Sequence, residues 1–279
     1  MSAKNLPLFA SPSGYELLAA QLSTLDSPDG LLNGAVAIAS HRSDIADVIG
    51  VDATLQRFAD TVRSRVRGAQ PQAMLAHLHE FLFEEQGFHG ELDDYDNPLN
   101  SFLPYVLDTH RGLPITMSLV YKLVAERVGL PVWGVGLPGH FLCAVKIDGA
   151  DTLIDPFDGG RELSIEEAQS KVSELFGSQI EWSAELLRPA SNRHWLTRIL
   201  QNLLKSYGNR NQNADVAAVL EMEMLLWPDQ SHLQRDLGIA LANCGLTRPA
   251  SIWLDRYLKA NPNDPEHSQL QEIISALNH

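Results

Sequence analysis

Apolar positions recur at helical spacing through most of the chain. Leu31, Leu32, Ala35, Val36, Ala37, Ile38 and Ala39 form a small apolar run, which predicts a helix. The His41-Arg42-Ser43-Asp44 segment after it reads as a loop with capping chemistry. Leu55, Phe58, Val62 and Val66 then repeat at helical intervals, with Arg57, Arg63, Arg65 and Arg67 between them. Gly68 and Pro71 punctuate. Leu75, Leu78, Leu82 and Phe83 mark the next helix, Gly87-Phe88-His89-Gly90 ends it, and an acidic loop with Glu91, Asp93, Asp94 and Asp96 comes after it.

From Arg111 the pattern changes. Gly112-Leu113-Pro114 opens a helix expected to run to about Val128, because proline suits a first turn whose amide has no intrahelical partner. Gly129 stops it. Residues 131–136 read as a strand, Pro138-Gly139 as a turn, residues 140–147 as a second strand, Asp148-Gly149 as a hairpin turn and residues 152–154 as a short third strand. Asp155-Pro156 ends that strand and Gly159-Gly160 turns the chain. A helix followed by antiparallel strands, with helices elsewhere, predicts an α+β core.

Beyond about Arg188 the pattern is helical to the end, and a period emerges. Pro228 and Pro262 are 34 residues apart. The unit ending at the second proline carries Leu237-Gly238, Leu241, Gly245, Ala250 and Leu254. The preceding unit, about residues 197–230, has Leu203, Tyr207 and Leu220 at equivalent places but lacks the glycine. This resembles the tetratricopeptide (TPR) pattern at its small-residue and proline positions, with residues 265–277 as a capping helix. The alternative is an irregular helical bundle. The expected division is a lead-in helix in residues 1–27, an α+β domain in 28–187 and TPR-like helical repeats in 188–279.

Composition narrows the function classes. Hydrophobic residues make up 44% and charged residues 20%, enough for a packed core. A net charge of −14 opposes non-specific attraction to nucleic acid or an acidic membrane surface. Two cysteines, Cys143 and Cys244, argue against a disulfide framework and exclude a cysteine-rich zinc site. His77 and His79 face different ways on a helix, and no metal-ligand spacing occurs, so no metal is expected. Gly134, Gly136 and Gly139 are not followed by a helix start, so no dinucleotide cofactor is expected. No apolar run reaches the ~18 residues of a membrane span, and residues 1–7 carry no apolar leader. A bacterial cytoplasmic protein is the expectation.

The stretch most informative about chemistry is residues 97–160. It contains Asn97-Pro98-Leu99-Asn100-Ser101, Arg111-Gly112-Leu113-Pro114-Ile115-Thr116, Leu137-Pro138-Gly139-His140-Phe141-Leu142 and Ile154-Asp155-Pro156-Phe157-Asp158-Gly159-Gly160. With Gly34-Ala35 and Gly87-Phe88-His89-Gly90, these motifs closely resemble the SirB-type family, named for a bacterial invasion-gene regulator, whose core is similar to the transglutaminase and papain-like superfamily. The resemblance covers roughly residues 30–185, and a TPR-like tail also looks like that family. Active members of the superfamily place a cysteine at a helix N-terminus, where the dipole favours the thiolate, a histidine base on the following strand and an orienting aspartate on the next. By resemblance, His140 and Asp155 occupy the last two positions.

The nucleophile position falls near Pro114, which offers none. Cys143 lies three positions beyond His140, so on a strand it should point the other way and act as a small buried hydrophobe. Thr116 and Ser118 lie near the helix start without any sign of activation. Taken alone, His140 reads as a structural histidine and Asp155 as a turn residue. Asn97 and Asn100 read as caps for the helix after Pro98. By the TPR resemblance, Arg198, Gln201, Lys205, His232 and Arg235 would line a basic groove able to clamp an acidic peptide or a C-terminal carboxylate, or would form a solvated face. Two functions fit these residues: a non-catalytic interaction or regulatory protein (a pseudoenzyme), or a transglutaminase- or peptidase-class enzyme with a non-cysteine nucleophile. The expected partner is another protein, and oligomeric state is open.

Overall fold

The computed structural model describes residues 7–41, 47–68, 70–147 and 149–277. Arg42, Ser43 and Asp44 of the expected capping loop, and Asp148 of the expected hairpin turn, lie outside the described residues, as do residues 1–6 of the expected lead-in. The chain runs α1 (Pro12–Gln21), α2 (Gly30–Ala39), α3 (Val48–Arg65), α4 (Pro71–His79), a π-helical turn (Glu80–Glu85), β1 (His89–Gly90), a 3₁₀ turn (Pro98–Ser101), α5 (Leu103–Thr109), β2 (Arg111–Gly112), α6 (Pro114–Arg127), β3 (Val132–Val135), β4 (Leu142–Ile147), β5 (Ala150–Asp155), a 3₁₀ turn (Pro156–Asp158), β6 (Arg161–Leu163) and α7 (Ile165–Phe176). Five further helices complete it: α8 (Asn192–Asn209), α9 (Asn213–Leu226), α10 (Ser231–Asn243), α11 (Thr247–Ala260) and α12 (His267–Leu277). The fold is helix-rich α+β with a small antiparallel sheet, as the sequence predicts.

Contacts gather the chain into two compact units. One comprises Asp26–Val36 and Asp47–Ile199; the other comprises the described residues of Met1–Leu25 and Ala37–Ala46 with Leu200–His279. The chain therefore passes between units inside α8, not at residues 187/188, and the N-terminal lead-in groups with the tail helices.

In the first unit the sheet order is β3-β4-β5-β6, antiparallel throughout. α6 is buried without a break from Pro114 to Tyr121, which makes it the central helix of the unit, and in that stretch Thr116 and Ser118 interrupt an otherwise largely apolar sequence. The opposite sheet face, with Val135, Leu142, Ala144 and Leu153, is covered by Ala168 and Val172 of α7. β4 begins at Leu142 and not at His140, because the 137–140 turn carries the chain two residues further. The His140 amide donates to the Leu137 carbonyl at 3.2 Å, with Pro138 and a positive-φ Gly139 (φ +69°) between them. Proline then a left-handed glycine is the residue pair that a type II turn requires. Strand β6 and the short parallel pairing of β1 with β2 were not expected.

In the second unit, helices repeat with a fixed offset. α9 starts at Asn213 and α11 at Thr247, 34 positions apart; α8 ends at Asn209 and α10 at Asn243, again 34 apart. Ala217, Leu220, Leu233, Leu237, Leu241 and Ala250 form its core. Gly238 permits a close approach: a Cβ there would lie 2.8 Å from the Leu254 side chain. Leu254, Tyr257, Leu258, Leu270 and Ile274 extend the packing to α12. The described N-terminal residues join this unit through one side chain. The Glu221 carboxylate accepts three successive amides, from Leu8 at 2.6 Å, Phe9 at 3.0 Å and Ala10 at 2.8 Å.

Candidate functional site

Antiparallel register brings His140 and Asp155 together. Cys143 pairs with Ile154, so Asp155 at the end of β5 lies beside the start of β4, where the 137–140 turn delivers His140. The imidazole Nε2 lies 2.8 Å from Asp155 Oδ2. With Nε2 carrying the proton toward the carboxylate, Nδ1 is the ring's free acceptor. Asp155 is fully buried, yet each oxygen is satisfied. The Phe157 amide donates to Oδ1 at 3.1 Å, and Lys171 Nζ on α7 lies 3.1 Å from Oδ2. Burial pushes this carboxyl upward, but His140 and Lys171 together outweigh it and hold the pKa below the ordinary aspartate value.

The helix at whose start the resemblance would place a nucleophile borders the pair. Ser118 on α6 donates to the carbonyl of Phe141, the residue after His140, at 3.1 Å. Pro114 stands one turn earlier on the same helix face. Thr116 closes the helix start: its hydroxyl accepts from the Leu113 amide at 3.0 Å and lies 2.7 Å from the Asn100 carbonyl. Each hydroxyl has one proton, and both are directed to carbonyl oxygens. Cys143 is fully buried with its thiol on the Ser118 carbonyl at 3.4 Å, and burial raises its pKa far above the ordinary thiol range. That environment disfavours a thiolate.

A family model described as the transglutaminase-like superfamily matches residues 50–201, which contain the whole of this arrangement. The chain belongs to the transglutaminase-like superfamily. Similar proteins include a UPF0162 protein of Xylella fastidiosa (strain 9a5c), 34% identical over 248 residues, covering 87% of this chain and 88% of that protein. A UPF0162 protein of Haemophilus influenzae is 27% identical over 206 residues, covering 72% and 76%. F-box only protein 21 of Mus musculus is 27% identical over 251 residues, covering 77% of this chain and 39% of that longer protein. No solved structure matches the chain.

Around the transglutaminase-like pair, several residues take places that periodicity did not reveal. Lys171, the third partner of Asp155, reads in sequence as one surface lysine of an amphipathic helix. Asn97 accepts from the Leu99 amide at 3.1 Å, as a cap does, but the element it caps is a 3₁₀ turn and not an α-helix. Asn100 instead donates to the Asp94 carbonyl at 2.7 Å and ties down the acidic loop.

The five tail candidates do not form one basic surface. Arg198 donates to the Leu137 carbonyl at 3.1 Å, within the first unit. Arg235 is engaged: its guanidinium pairs with Asp236 at 2.9 Å and Glu266 at 3.6 Å and stacks over Tyr257. Gln201, Lys205 and His232 are exposed, and Gln201 hydrogen-bonds Glu223, whose carboxyl burial raises to about 7. A different groove stands open in the second unit, a cavity of ≈ 580 Å³. Its apolar wall includes Leu8, Leu237, Ile252 and Trp253, and Arg248 and Arg256 stand at its rim. Among the described residues neither arginine makes an ion pair; Arg256 stacks on Trp253, 4.5 Å from the ring centre. The signal for this groove in the sequence is the Arg248-Pro249-Ile252-Trp253-Arg256 pattern on one helix.

Proposed function

We propose that this transglutaminase-like protein is non-catalytic and works as an interaction module, its TPR-like helical tail capturing an acidic peptide segment with apolar side chains. The observation that carries the reading is the groove of the second unit: apolar walls, with two arginines that no carboxylate of the described residues compensates, in a chain of net charge −14. Glu221 also lines the groove, but its charge is already directed to three backbone amides. An acidic segment would supply the missing counter-charges and fill the apolar floor. The 34-residue helix offset supports the TPR-like assignment of the tail. Lack of a nucleophile at Pro114 and the engagement of Thr116 and Ser118 with carbonyls support the non-catalytic half.

One specific observation favours a second reading, an enzyme of the transglutaminase or peptidase class with a non-cysteine nucleophile: the His140–Asp155 pair is intact at 2.8 Å. Fluorescence anisotropy with a labelled seven-residue peptide of alternating aspartate and leucine, beside its lysine-leucine counterpart, tests the interaction reading. Saturable binding of the acidic peptide alone is expected. Equal binding of both, or none, contradicts it.

A further inference from the structure

A half-buried arginine, Arg198, stands beside the His140–Asp155 pair with no counter-ion among the described residues. Arg198 uses one N–H on the Leu137 carbonyl, the same oxygen that receives the His140 amide. Among the described residues it makes no ion pair. Burial lowers its pKa, and the neighbouring Tyr95 opposes that shift. Tyr95 is 38% exposed and meets Phe157 edge-on at 6.3 Å; Phe157 in turn meets the His140 ring edge-on at 5.9 Å. Arg198, Tyr95, Phe157 and His140 are thus linked neighbours around the 137–140 turn. The guanidinium has five N–H donors and spends one. A desolvated, uncompensated cation of this kind is costly to hold unless something negative visits it.

The geometry points to a carboxylate-binding subsite here: Arg198 receives the carboxylate of a ligand whose apolar part lies against Tyr95 and Phe157, next to His140. A monoanion fits better than a phosphate dianion. Among the described residues around this turn Arg198 is the one cation without an ion pair, and Asp96, within electrostatic reach of Tyr95, together with the Asp155 carboxylate opposes a second negative charge. A planar guanidinium also matches a carboxylate with two parallel bonds. This subsite lies wholly within residues 95–198 and does not depend on the groove proposed for the tail.

The test uses the full chain and four probes: N-acetyl-leucine, its amide, and a seven-residue leucine-ending peptide with a free or an amidated C-terminus. Binding is read by NMR on the side-chain resonances of Arg198 and of His140. Saturable shifts with a free acid and none with its amide are expected. The small acid binding more tightly identifies a small carboxylic acid as the ligand class; the peptide binding more tightly identifies a C-terminus. Arg198→Gln is expected to weaken either about tenfold, and Arg198→Lys less. The acid-against-amide comparison needs no variant, so misfolding cannot decide it. No saturable shift with either acid, or equal binding of acid and amide, overturns the subsite.

Discussion

Ser118 on α6 gives its hydroxyl proton to the carbonyl of Phe141, the residue that follows His140, at 3.1 Å. The Ser118 hydroxyl is therefore a brace between α6 and the segment that leads into β4. With Thr116 closing the helix start, the described hydroxyls of α6 beside the pair are engaged with backbone groups, as the non-catalytic reading proposed above expects.

Asp155→Asn should destabilise the fold by about 2–4 kcal/mol, since a buried carboxylate loses its His140 and Lys171 partners. The pH dependence comes from the depressed carboxyl. Its folded value lies below the unfolded ~3.9, so its contribution is fully present above that pH and is lost as pH falls through the folded value. Denaturant unfolding of wild type and variant should differ clearly at about pH 5 and begin to converge as pH falls below about 4.

Glu223 works in the opposite direction. Burial raises it to about 7 despite the Gln201 hydrogen bond, with Asp236 adding to the rise, and its Oε2 is buried with no hydrogen-bond partner among the described residues. Between the unfolded ~4.3 and about 7 the folded state holds the extra proton, so stability falls as pH rises through that window. Glu223→Gln should therefore stabilise the protein at about pH 8 by on the order of 2 kcal/mol and have no such effect at about pH 4. Urea unfolding at the two pH values checks this.

Thiol labelling should divide the two cysteines. Cys143 is fully buried and its thiol is held protonated, whereas Cys244 is half-buried. A disulfide reagent at mildly alkaline pH should modify one thiol per chain in the native state and two after denaturation. Rapid labelling of both in the native state would contradict the burial of Cys143.

Glu221→Ala removes the acceptor for three amides in a row. Hydrogen exchange at Leu8, Phe9 and Ala10 should rise about tenfold or more, since each amide bond is worth roughly 1 kcal/mol or more when made to a charged group. Exchange in α10 and α11 should stay near wild type, which separates local release from global unfolding.

Much of this fold was legible because its pieces obey local rules. Gly112-Leu113-Pro114 marked the start of α6, Pro138-Gly139 the turn before β4, and two prolines 34 residues apart the helix offset of the tail. Proximity of His140 and Asp155 follows from two strands joined by a hairpin, once their register is known. Contacts across long sequence separations were not legible. Lys171 reaches Asp155 from another element, and Arg198 reaches Leu137 across 61 positions. Lys171 looks like an ordinary surface cation in a one-dimensional reading, and Arg198 was expected to line a groove of the tail. Arg235 was expected to face a groove, yet its i+1 neighbour Asp236 and the distant Glu266 hold it. Charge alone did not separate an engaged arginine from an available one; only its neighbours do.

The most direct measurement is an anisotropy titration of the labelled aspartate-leucine peptide with the full chain, comparing wild type with Arg248→Glu/Arg256→Glu at about 50 mM and about 500 mM salt. Both side chains are exposed, so the variant should fold normally, as checked by its unchanged thermal midpoint. The account predicts saturable binding by wild type that weakens at high salt and is lost in the variant. Binding that survives both charge reversals and high salt, or no binding by wild type, would contradict it.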